Sequence, residues 1–151
     1  MIFLFIIARA KTVIFVLVCA AIFVGVIIAV ASTPVTPSGV AKKYIAQLGW
    51  KVMPTPLEEV SVKVPLKFDA VYLRYNELQK EAGFDLSPYV GKALQRVTFN
   101  LLNFPYDNNV RINVLVMGTN VVGGDISTVA INGFMIPLEG RSETLFLEDG
   151  K

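Results

Sequence analysis

Apolar and polar positions divide the chain into regions of different period. From Thr12 to Ala31 the run TVIFVLVCAAIFVGVIIAVA holds twenty residues and no charge. As a helix rising about 1.5 Å per residue it spans roughly 30 Å, the thickness of a bilayer's hydrocarbon core. A buried globular helix would carry a polar stripe, and this run has none, so it predicts a membrane helix over 12–31. The segment 32-STPVTPS-38, with two prolines and four hydroxyl residues, reads as a linker.

Beyond the linker the period becomes that of a folded domain. Val40, Ala41, Tyr44, Ile45 and Leu48 recur at helical spacing, with Ser38 as the expected cap and Gly49 as the stop. In 59-EVSVKV-64 the valines alternate with polar residues, as in a half-buried strand. A second helix runs from Asp69 to Ala82. Val71, Tyr72, Tyr75, Leu78 and Ala82 lie on its expected inner face, Asp69 caps it and Gly83 closes it. Three strands follow, 94-LQRVTFNLLNF-104, 110-VRINVLVM-117 and one beginning at Val121, joined by the turn segments 105-PYDNN-109 and 118-GTN-120. The order α-β-α-β-β-β predicts an α+β domain over 39–138, with an antiparallel sheet and both helices packed on one face. The tail 139–151 is mostly polar, and Leu145, Phe146 and Leu147 could add a short edge strand.

Charge sharpens the division. Of fourteen Lys and Arg only Arg9 and Lys11 precede the linker, and all twelve acidic residues follow it, so the outer domain is electrically balanced. A balanced domain has no footprint for a phosphate backbone, which argues against nucleic acid as a partner. Basic residues followed by an apolar run have the layout of an export signal. The expectation is a short cytoplasmic end over 1–11, a single-pass anchor in the cell membrane and an extracytoplasmic domain. The small residues of 29-AVA-31 leave open cleavage near Ala31 and a secreted product. Cys19 lies within the apolar run and no other cysteine exists, so the outer domain has neither disulfide nor thiol chemistry.

Catalytic candidates are few. The chain has no histidine, which removes the commonest general base and the commonest metal ligand. Glu58 and Glu59 are adjacent at the start of a strand and point to opposite sides. Ser61, Ser87 and Ser127 lack a nucleophile elbow. The run 121-VVGGDIST-128 is no P-loop, having no following Lys-Ser/Thr, and no calcium loop, having a single carboxylate. It reads instead as a Gly-Gly bulge or bend in a strand. No catalytic residue, metal or cofactor is expected. Tyr89 and Tyr106, in loops beside prolines, suit a contact surface.

The segments 45-IAQLGWKV-52, 75-YNELQKEAGFDLSPYVGK-92, 103-NFPYD-107 and 122-VGGDISTVAINGFMIPL-138 together resemble a family of bacterial, largely Gram-positive, membrane-anchored proteins whose C-terminal portion is a domain of unknown function. The resemblance implies one membrane helix and an extracytoplasmic domain, and it attaches no activity, cofactor or catalytic residue. Its polar and loop positions, Asn76, Gln79, Asp85, Tyr89, Lys92, Asn103, Tyr106 and Asp125, are the candidate interaction residues, with capping and turn hydrogen bonding equally open for each. The expected function is a non-enzymatic module that binds a protein or cell-envelope partner. A secreted small-ligand binder and a hydrolase using Asp85 and Asp125 are the alternatives.

Overall fold

Five strands cross one antiparallel sheet in chain order, each paired with the next. They are β1 (Glu58–Lys63), β2 (Ala93–Asn100), β3 (Val110–Met117), β4 (Asn120–Thr128) and β5 (Met135–Pro137). Helix α1 (Pro37–Gln47) precedes β1, and helix α2 (Ala70–Glu81) with a 3-10 turn (Ser87–Tyr89) links β1 to β2. This computed structural model describes residues 35–105, 109–130 and 133–139, together with 15, 17–20 and 22. Tyr106, the turn around it, and the possible strand at 145–147 lie outside the described residues.

Two compact units divide the chain, Met1–Pro34 and Val35–Lys151. Of the membrane helix expected over 12–31, the residues described are helical and exposed; the rest of it lies outside them. Among the described residues no helix is long and apolar enough to cross a membrane.

Local chemistry sets the helix starts. Thr36, rather than Ser38, caps α1: its Oγ1 accepts from the Gly39 amide at 3.1 Å, and Pro37 takes the first turn, where a missing N–H costs nothing. The helix therefore begins inside the stretch expected as linker. Asp69 caps α2 as its position predicts, accepting from the Tyr72 amide at 2.8 Å.

The helices pack on opposite faces of the sheet, which corrects the expectation of one shared face. On the first face Val97, Phe99, Ile112, Val114 and Ile126 form a continuous apolar surface that takes Ala41 and Ile45 of α1. Trp50, Phe104 and Phe134 extend it as a stack of rings. The second face is apolar only at one end, where Leu94, Leu115 and Val122 meet Val64 and Leu86, and Tyr72 and Tyr75 of α2 lie against them. One helix fills the first face, so the second is driven to the apolar end of the other.

A bulge shifts the register of β4 against β3. Leu115 pairs with Gly123 and Val116 with Val121, leaving Val122 as an extra residue. The extra residue puts the neighbours Val122 and Gly123 both on the second face, while Val121 stays on the first. The strand β5, which pairs Met135–Pro137 with Asp125–Ser127 of β4, adds an element that the periodicity did not predict.

Candidate functional site

The bulge sets the register of a polar ladder on the second face. Thr98, Asn113 and Asp125 stand side by side on β2, β3 and β4. Thr98 Oγ1 lies 2.7 Å from Asn113 Oδ1, whose own amide nitrogen donates to Asp125 Oδ2 at 2.8 Å and to Ser127 Oγ at 3.3 Å. From α2 the Tyr75 hydroxyl donates to Asp125 Oδ1 at 3.0 Å. Burial, and after it the Asp125 carboxylate, hold the Tyr75 pKa well above the ordinary tyrosine value. Both oxygens of the buried Asp125 are thus engaged by neutral donors.

The same face carries further polar groups, Arg111 and Asn100 beyond the ladder, Glu58 in its row and the half-buried Arg96 between it and the apolar end. Arg96 Nη2 meets Glu58 Oε2 at 2.7 Å, Arg111 is exposed, and Asn100 is half-buried. Alternation along the strands puts all four on the face that holds Thr98 and Asn113.

Most of the expected interaction residues serve the scaffold. Gln79 is fully buried and its Oε1 accepts from the Gly124 amide at 2.6 Å, standing in for a neighbouring strand where β5 has ended. Asn76, also buried, accepts from the Leu86 amide at 2.7 Å and donates to Asp85 Oδ1 at 2.9 Å. Asp85 Oδ1 further accepts from the Ser87 amide and hydroxyl at 2.9 and 2.7 Å. Asn103 clamps the segment after α1, accepting from the Lys51 amide at 2.7 Å and donating to the Gly49 carbonyl at 3.2 Å. Tyr89 is half-buried against the second apolar cluster, with the Lys92 ammonium 5.5 Å from its ring centroid.

Hydrogen bonds from the Ser87 amide first, then from the Asn76 and Ser87 side chains, lower the Asp85 pKa from 3.8 to about 2. A carboxyl depressed in the folded state contributes stability that is present above pH 3.8 and lost as pH falls through about 2. Melting temperature followed by circular dichroism should therefore fall more steeply below pH 4 for the wild type than for Asp85→Asn. Parallel curves would remove Asp85 from the acid response.

A groove of about 510 Å³ lies between α1 and the β3–β4 hairpin, lined among others by Lys43, Tyr44, Gln47, Thr119 and Asn120. The Tyr44 hydroxyl donates to Glu139 Oε1 at 3.3 Å. Burial and then that carboxylate push its pKa up to about 12. Among the described residues no three of His, Cys, Asp and Glu come together in a way that could hold a metal ion.

Residues 44–126 match the model of a family described as a domain of unknown function, DUF4830. The chain belongs to this family. The DUF4830 match opens inside α1 and closes in β4, so it contains the whole of α2, the ladder from Thr98 to Asp125 and the buried Asn76 and Gln79. No curated protein and no solved structure matches the chain.

Reasoning from loops missed Tyr75, Thr98, Asn113 and Ser127. Their signal was present: Thr98 lies at alternate positions with Arg96 and Asn100, and Asn113 with Arg111, the mark of a sheet face that an apolar layer does not cover.

Proposed function

We propose that this DUF4830 chain is a non-enzymatic, membrane-tethered, extracytoplasmic binding module whose contact surface is the polar part of the second sheet face. The single observation behind this reading is the ladder Thr98–Asn113–Asp125–Tyr75, which is flanked by the exposed Glu58 and Arg111 and the half-buried Arg96. A rigid sheet presenting fixed donors, acceptors and both signs of charge suits a polar partner, a protein or an envelope component. The same geometry disfavours catalysis at Asp125, because Tyr75 and Asn113 occupy the carboxylate that a hydrolase would need free. The uncharged run from Thr12 to Ala31 supports the tether.

Surface crosslinking of intact cells, followed by affinity capture on the full chain, should yield a reproducible partner. Arg96→Ala combined with Arg111→Ala should reduce its recovery roughly tenfold, as expected when charged contacts in an interface are truncated. Recovery unchanged by this pair moves the contact surface elsewhere. An N-terminus at Ser32 found in the medium by mass spectrometry overturns the tether.

A further inference from the structure

The first strand ends the sheet. β1 pairs with β2 alone, so its outer edge presents backbone donors and acceptors without a neighbouring strand. The opposite edge is blunted: β5 has three residues and ends in Pro137. β1 has six residues, and the charges along it are symmetric about Ser61, with Glu59 two positions before and Lys63 two positions after.

From this symmetry we infer that two copies of the chain join through their β1 edges, antiparallel, about a twofold axis at Ser61. In that register Glu59 of each copy lies opposite Lys63 of the other, and Val60 lies opposite Val62. Glu59, Ser61 and Lys63 share one side of the strand and all three are exposed. Neither charge has an ion-pair partner among the described residues, whereas Glu58, on the other side, is already held by Arg96. Sliding the register to centre on Glu59 or on Lys63 sets identical charges against each other, so the charges select the Ser61 register. Val60 and Val62 are half-buried in a single copy, and Val62 packs against the cluster beneath α2. Pairing would continue that apolar strip into the second copy and make one sheet of both. Pairing at this edge leaves Arg111 and Asn100 uncovered, so the inference does not depend on the proposed partner surface.

Sedimentation of the full-length chain in detergent, over a range of concentrations, tests it. Wild type should dimerise, and Glu59→Lys and Lys63→Glu should each weaken the dimer roughly tenfold or more, since each replaces two attractive cross-strand pairs by two repulsive ones. An equimolar mixture of the two variants should recover the association, because the new cation in one copy then faces the new anion in the other. Both substitutions are at exposed positions, and unchanged circular dichroism verifies the fold. A monomeric wild type, variants that associate like wild type, or a mixture that fails to recover would each overturn the inference.

Discussion

Gly124→Ala should destabilise the domain by about 3 kcal/mol or more, a large share of the 5–15 kcal/mol that typically holds a domain folded. A methyl at this position would run into the Asn113 carbonyl oxygen of the neighbouring strand and come within 2.6 Å of Leu138 Cδ1. One obstacle is backbone and the other belongs to a fully buried side chain, so neither can swing aside. The φ of +154° adds strain for any residue with a Cβ. Gly118→Ala is the control. Its φ is +62° but nothing stands within 4 Å of the added carbon, so it should cost only roughly 1–2 kcal/mol. Urea unfolding of both variants gives the comparison, and a Gly124→Ala protein as stable as Gly118→Ala would remove the proposed clash.

Gln79→Ala should cost about 3 kcal/mol through two separate effects: an orphaned amide at Gly124 and a cavity beneath α2. Gln79→Leu keeps most of the volume and also removes the side-chain Nε2, which is buried without a partner. It should therefore cost only about 1 kcal/mol. The gap between the two variants separates packing from hydrogen bonding. If both unfold like wild type, Gln79 is no structural clamp.

These two positions mark where the fold is hard to read from the chain. Gln79 and Gly124 are 45 residues apart and meet through a single side-chain bond, which no local period encodes. On α2 the apolar wheel turned Val71 inward, yet Val71 is 76% exposed while the amides Asn76 and Gln79 take the most buried places. Polar side chains enter that layer because they satisfy backbone groups of β4 and of the 3-10 turn, a need that hydrophobicity does not register. The strands themselves were legible, because β1 and the first half of β3 alternate and β2 carries β-branched and aromatic residues. Two-sided burial was legible as well, in the unbroken apolar runs 114-VLV-116 and 121-VVGG-124, which are typical of strands covered on both faces. Reading those strands by alternation alone put both helices on one side. For the site, Asp125 was identified, but as a candidate contact on a bent strand, whereas the β3–β4 register and Tyr75 make it the buried hub of the ladder.

Trp50 carries a consequence for the order in which the molecule is assembled. Its ring stacks on Phe104, and its Nε1 donates to the Leu138 carbonyl at 3.2 Å across 88 residues of chain. During synthesis α1 leaves the ribosome first, but the strands and the carbonyl that lock it in place come last, so the first face cannot close until the segment after β5 has emerged. As the only tryptophan in the chain, Trp50 makes its fluorescence an intrinsic clock for that final closure.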